Sequence, residues 1–213
     1  TDALVVNPPT TPYQRALFAA FAEAFTPDPE APPAAEARRR GLLDRAAEAG
    51  AARVQRAADE APVVDGWRTR LDVGTYGDDL DLRASVARGG WGANVAAEAV
   101  YPVARTDATG QALDGSRTAT ITFPPGGLPS TDDLGFWSLT VYGADLFFEA
   151  TPTDRYAIGD RTPDLAPSPD GSVTITLAHD RPPEPADGTP VNWLPVPAGA
   201  YVLMLRIYLP GAD

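Results

Sequence analysis

The chain has 213 residues, 44% of them hydrophobic, which allows an ordinary core without a metal or disulfide staple. Seventeen basic residues, all Arg, face 29 acidic ones, and a formal charge of -12 excludes a nucleic-acid backbone or an anionic membrane surface as the expected partner. There is no Cys, so thiol chemistry, Cys-ligated zinc and structural disulfides are excluded.

The elements read as follows along the chain. Thr10 or Thr11 can cap a helix with Pro12 at its first position, and Tyr13, Leu17, Phe21 and Phe25 recur every fourth residue. This stripe is expected to pack on the rest of the fold; a self-association surface is the alternative. A Pro-rich break, Thr26 to Pro33, separates it from the Ala-, Arg- and Glu-rich stretch 34–61. Gly41 and Gly50 each cost about 1 kcal/mol relative to Ala in a helix interior, so the stretch predicts one helix broken near Gly41, or two short ones. Arg38-Arg39-Arg40 reads as a solvated helix face.

After the punctuation of Pro62 to Gly66 the texture changes. Trp67 to Val73 alternates as a half-buried strand does, and Leu80 to Gly89 predicts a helix. Val100 to Arg105 and Arg117 to Phe123 flank Asp107 to Gly110 and Leu113 to Gly115, and predict two paired strands joined by a long turn. Further strands are expected at Phe136 to Tyr142, Leu146 to Ala150, Val173 to Ala178 and Tyr201 to Leu209. Short strands punctuated by Pro, Gly and Asp, without intervening helices, predict a mainly β fold, a β-sandwich of jelly-roll type with an N-terminal helical extension. The expected division is residues 1–65 for the extension and 66–213 for the sandwich. No apolar run reaches the roughly 18 residues of a membrane span. The sequence begins at Thr1 with no leader pattern.

Several motifs carry a family resemblance. Gly74-Thr75-Tyr76-Gly77-Asp78 is followed by Leu82-Arg83-Ala84, Gly92-Ala93-Asn94 and Glu98-Ala99-Val100-Tyr101. Then come Asp107, Gly110, Leu113-Asp114-Gly115, Leu128-Pro129, Phe136 to Tyr142, Arg155 to Arg161, Asn192 to Pro195, Pro197-Ala198-Gly199 and Leu205-Arg206-Ile207-Tyr208. Over roughly 66–210 this series resembles the bacterial domain of unknown function 1214, the C-terminal part of proteins that also carry domain of unknown function 1254. The resemblance implies a jelly-roll β-sandwich and an exported protein (periplasmic, cell-envelope or secreted), and supplies no activity. Residues 1–62 resemble more loosely the segment before this domain; no stretch resembles the companion domain. Gly143 stands where the family pattern has Asp, and Ala150-Thr151-Pro152 replaces an Asn-Pro step.

The chemistry-bearing residues are few. His179 is the single His and adjoins Asp180, but neighbours on a strand point to opposite faces. Gly-x-Ser-x-Gly is absent, so a nucleophile elbow is not expected. One His and no Cys disfavour transition metals, and no EF-hand pattern is present; no metal and no cofactor are expected. Asp78, Asp79, Asp81, Asp132 and Asp133 read as turn and capping residues. The most specific grouping is Arg155, Tyr156, Asp160, Arg161, Asn192 and Trp193, with Tyr142. Arg and Asp together can orient a polar ligand, and Trp193 can stack on a sugar ring. Equally, Asp160 can lock an irregular loop and Trp193 can plug one end of the sandwich. The sequence thus predicts an envelope-associated module binding a small polar or carbohydrate-like ligand. The alternatives are a hydrolase or lyase using Asp, Tyr and Arg, and a structural self-association module; oligomeric state is left open.

Overall fold

The computed structural model describes residues 8–90 and 92–211. The first seven residues of the expected extension lie outside this range. The chain forms two compact units, Thr1–Gln55 and Arg56–Asp213.

The first unit is helical. Helix α1 (Pro12–Phe25) begins with a capping box: Thr11 Oγ1 accepts the Gln14 N–H at 3.1 Å, and Gln14 Oε1 accepts the Thr11 N–H at 3.3 Å. Pro12 occupies the first position, where its missing N–H costs nothing. Within the stripe, Phe21 and Phe25 stack on each other at 4.2 Å between centroids.

Helix α2 (Pro33–Asp59) is continuous through Gly41 and Gly50, correcting the expected break. The surrounding Ala, Leu, Arg and Glu are strong helix formers and outweigh two glycines. The helix start is reinforced by Glu36, whose carboxylate accepts from Arg39 Nε at 2.8 Å and Arg40 Nε at 2.9 Å. These bonds hold the Glu36 pKa down at about 2.

In the second unit a two-residue hairpin, β1 (Val63–Val64) with β2 (Trp67–Arg68), turns on Asp65 and Gly66, both at positive φ. Asp-Gly is the signature of this turn. The expected strand Trp67 to Val73 is therefore only two residues long. Helix α3 (Leu80–Gly89) spans the predicted residues, with Asp79 Oδ1 capping the Leu82 N–H at 2.9 Å.

Ten strands form two sheets among the described residues. The larger runs β1-β2-β4 (Val103–Ala104)-β10 (Tyr201–Pro210)-β6 (Thr131–Gly143)-β7 (Ala157–Gly159), with β3 (Ala99–Val100) also on β10. The smaller runs β5 (Ala119–Phe123)-β8 (Val173–Ala178)-β9 (Asn192–Pro195), where β8 and β9 are parallel and the other pairs antiparallel. One hydrophobic cluster draws on both sheets. Trp137, Leu139 and Val141 of β6 and Leu203 of β10 meet Ile175 and Leu177 of β8 and Leu194 of β9. Burial of such side chains contributes about 1.5–3 kcal/mol each.

The expected pairing of residues 100–105 with 117–123 is corrected: the first segment pairs with β10 and the second with β8, in different sheets. Pro102, which has no N–H, separates β3 from β4. The turn signals are real, but they close only the Thr106–Ala112 bridge before the chain crosses to the other sheet. The expected strand 146–150 is absent. Leu146 has a φ of 70° and its N–H closes a turn on the Gly143 carbonyl, which halts extended structure.

Candidate functional site

Strand alternation divides β10 cleanly. Tyr201, Leu203, Leu205 and Ile207 belong to the core, while Met204, Arg206 and Tyr208 face the other way. Register carries this second face across the sheet: Met204 lies opposite Thr140 on one side and Val103 on the other, and Val103 lies opposite Arg68. Ala58 and Ala61, at and just after the end of α2 and within the second unit, border it with the C-terminal half of α3 and with Gly90, Gly92 and Ala93. Between them is a cleft of about 470 Å³, the size of a small-molecule site.

Four arginines line the cleft: Arg68, Arg70, Arg105 and Arg206. Three tyrosines, Tyr101, Tyr142 and Tyr208, supply flat surface and hydroxyls. Apolar walls come from Ala58, Ala61, Val73, Val86, Val103, Leu146 and Met204, and Ser85 with Gly89, Gly90, Gly92 and Ala93 complete it. Among the described residues none in the lining is acidic.

The guanidinium groups are held differently. Arg70 is chelated by Asp72 through bonds of 2.9 and 2.7 Å and also donates to the Ala57 carbonyl. Arg68 donates to the backbone carbonyls of Asp59 and Ala61. Arg105 reaches only the Ala144 carbonyl, at 3.5 Å. Arg206 donates from Nη1 to Thr140 Oγ1 at 3.0 Å and from Nη2 to Tyr142 Oη at 2.6 Å. Tyr101 meets Tyr208 edge-on at 6.2 Å, and Tyr208 stacks on Phe136 at 4.6 Å. Burial raises the Tyr101 pKa, so its hydroxyl stays a proton donor at neutral pH.

The sequence candidates fall in three places. Tyr142 alone lines the cleft. Arg155 joins Asp164 in a fork of 3.2 and 3.0 Å and donates to the Trp193 carbonyl at 3.3 Å, pulling the Asp164 pKa down. Asn192 is 4% exposed; its Oδ1 accepts the Ala166 N–H at 2.9 Å and its Nδ2 donates to the Ala166 and Thr174 carbonyls at 2.9 and 3.0 Å. Trp193 is 6% exposed and its indole N–H meets the Ala178 carbonyl at 2.9 Å. A third group sits at the β6–β7 edge. Asp160 accepts the Trp137 N–H at 3.3 Å, and Arg161 lies over the Phe136 ring at 4.3 Å. Tyr156 donates to Asp154 Oδ1 at 3.3 Å, and its ring contacts Phe148, which stacks on Tyr142. Arg155 therefore pairs with Asp164 rather than Asp160, and the segments read as loops contain strands β7 and β9.

Sequence reasoning missed Arg68, Arg70, Arg105 and Arg206, together with Tyr101; Tyr208, which the sequence leaves open between strand packing and a pocket hydroxyl, lines the cleft. One signal was present: in Met204-Leu205-Arg206-Ile207-Tyr208 every second residue departs from the apolar core set. His179 does not line the cleft; its Nδ1 lies 2.9 Å from the Val196 carbonyl oxygen.

A family model described as "Protein of unknown function (DUF1214)" matches residues 98–212. No curated protein matches the chain. Among solved structures, the chain is similar to the VPA0106 protein from Vibrio parahaemolyticus at 25% identity, covering 86% of this chain and 43% of that one, with a TM-score of 0.53. An uncharacterised protein from Burkholderia cenocepacia is 18% identical over 74% of this chain and 36% of its own, with a TM-score of 0.45. The chain spans less than half the length of either.

Proposed function

We propose, for a chain that belongs to the DUF1214 family of proteins of unknown function, that it is a binding module holding a small polar organic ligand in the cleft on the outer face of the larger sheet. The observation that carries this reading is the convergence of four arginines and three tyrosines on one apolar-walled cleft. A few placed polar groups in a largely apolar concavity are the usual make-up of a small-molecule site. The tyrosine rings suit a ring-bearing ligand such as a carbohydrate. The same reading takes the two-sheet fold as a β-sandwich of jelly-roll type and the protein as exported, in line with the family resemblance.

Binding is favoured over hydrolase or lyase chemistry for a specific reason. General acid–base work draws most often on a histidine or a carboxyl and less often on a tyrosine, and among the described residues the cleft lining has no histidine or carboxyl, only tyrosines. The carboxyls with resolved shifts are lowered, Asp72 and Asp164 by Arg partners and Asp107 and Asp170 by neighbouring hydroxyls, rather than raised toward neutrality.

The test is a thermal-shift screen of the full chain against sugars, organic acids and aromatic amides, repeated on Met204→Trp, which fills the cleft floor. Hits that raise Tm in the parent and vanish in the variant are expected. Hits that persist in Met204→Trp, or a screen with none, would sink the reading.

A further inference from the structure

We infer that the ligand of this cleft carries an oxyanion head on an apolar or aromatic body. The inference rests on the reading of the cleft as a binding site and specifies what enters it.

Charge sign is the first reason. Acidic residues outnumber basic ones 29 to 17 in the chain, so an unselected surface concavity would be lined by more carboxylates than guanidiniums. The cleft reverses this, with four arginines and, among the described residues, no acidic one. The second reason is compensation. Only Arg70 is neutralised, by Asp72. Arg68, Arg105 and Arg206 touch neutral oxygens, of carbonyls and hydroxyls. Three guanidinium groups thus line the cleft without an ion-pair partner among the described residues, which an anion would supply.

Geometry selects the head group. A guanidinium presents five N–H donors in a planar fork suited to two oxygens of one carboxylate, phosphate or sulfonate. Arg206 commits one bond from each Nη and is thereby fixed in orientation on the central strand pair β10–β6. Its remaining N–H donors are available. Because the Tyr142 hydroxyl oxygen accepts from Arg206, its own proton can be donated to the same head group. The body of the ligand is set by Tyr101, Tyr208, Met204 and Val103, which offer rings and aliphatic surface but no acceptor-rich wall. A free inorganic ion would leave that surface unused.

Calorimetric titration of the full chain with 1-naphthylacetate, its neutral isostere 1-naphthaleneacetamide, and inorganic phosphate tests this. The carboxylate is expected to bind at least about tenfold more tightly than the amide, since hydrogen bonds to a charged group are roughly twice as strong as neutral ones. Phosphate alone is expected to bind far more weakly than the carboxylate. Arg206→Gln and Arg105→Gln are each expected to weaken the carboxylate about five- to tenfold and leave the amide unchanged. Arg105 is exposed and makes one long bond, so its replacement leaves folding intact and keeps the test valid should Arg206→Gln misfold.

Equal binding of amide and carboxylate overturns the oxyanion inference while leaving the cleft a binding site. Phosphate as tight as the carboxylate overturns the amphipathic part. Carboxylate binding indifferent to both Arg substitutions places the anion elsewhere and overturns the inference. Cleft-dependent thermal-shift hits that are all neutral, with no carboxylate bound, overturn the inference alone; no hits of any kind remove the binding reading as well.

Discussion

Asn192 joins two parts of the smaller sheet's surroundings through one amide, bonding the 166 backbone in both directions and the Thr174 carbonyl while almost wholly buried. Its replacement by Ala leaves one N–H and two carbonyls without these partners, at about 1–3 kcal/mol for each group left unsatisfied. Asn192→Ala is therefore expected to lower stability by about 3 kcal/mol or more, read as a fall in the urea midpoint with an unchanged m-value. A shift below about 1 kcal/mol would show that water replaces the amide. Tyr201 presents the opposite case. Its hydroxyl sits in the core at 2% exposure and has no hydrogen-bond partner, and burial pushes its pKa up to about 12. Tyr201→Phe removes an unsatisfied group and is expected to be neutral or stabilising. The raised pKa means the folded state holds its proton more tightly than the unfolded one. Its stabilising effect is complete below pH 10 and is lost as pH rises toward 12, at up to about 1.4 kcal/mol per pH unit. Alkaline unfolding curves of the Phe variant should be shallower in that window; identical slopes would remove Tyr201 as the cause.

At the scale of elements, what was legible depended on whether the determinant was local. Helix α1 announced itself by Thr11 and Pro12, helix α3 by Asp79, and β8 by strict alternation, because caps and periodicity are written in neighbouring residues. Strands β7 and β9, of three and four residues, show too short a pattern, and their partners β6 and β8 lie far off in sequence. Gly159 in β7 illustrates the non-local constraint. A Cβ there would come within 2.2 Å of the Trp137 carbonyl oxygen, so β6 and β7 can pair closely only over a glycine. Gly159→Ala is expected to destabilise by about 2 kcal/mol or more and to expose the Ile158 region to hydrogen exchange. Helix α2 is the contrasting element, since its glycines answer to nothing nearby. A Cβ at Gly50 meets no atom within 4 Å, and one at Gly41 meets only Arg45 at an ordinary 3.6 Å. Gly41→Ala and Gly50→Ala should each stabilise the helix by about 1 kcal/mol, seen as a higher helical melting midpoint at 222 nm. A loss of helicity in either would mean that the glycine serves a contact.

For the whole molecule the charge distribution and the cleft oppose each other. The chain sums to -12, and the four cleft arginines are already counted within that total. This inversion was not legible in the sequence: Arg68 in β2, Arg105 just after β4 and Arg206 in β10 are scattered along the chain, and only the register of those three strands brings them to one sheet face. At 10 mM salt the screening length is about 30 Å, so an anion approaching from outside the cleft meets the net negative field; at 0.1 M it is about 10 Å and most of that field is screened. Within hydrogen-bonding range it meets guanidinium groups, whose short-range contacts salt weakens less. An anionic probe such as 1-naphthylacetate should therefore associate faster as NaCl rises from 10 to about 100 mM, because screening removes the long-range repulsion first. A site that steers anions by its own field would show the reverse, a rate falling with salt. Stopped-flow measurement of the association rate across that range distinguishes the two, with the neutral amide as the control expected to show no salt dependence. A falling rate would mean that the cleft's arginines dominate the field well beyond the cleft mouth, and that the acidic surface lies on the opposite side of the molecule.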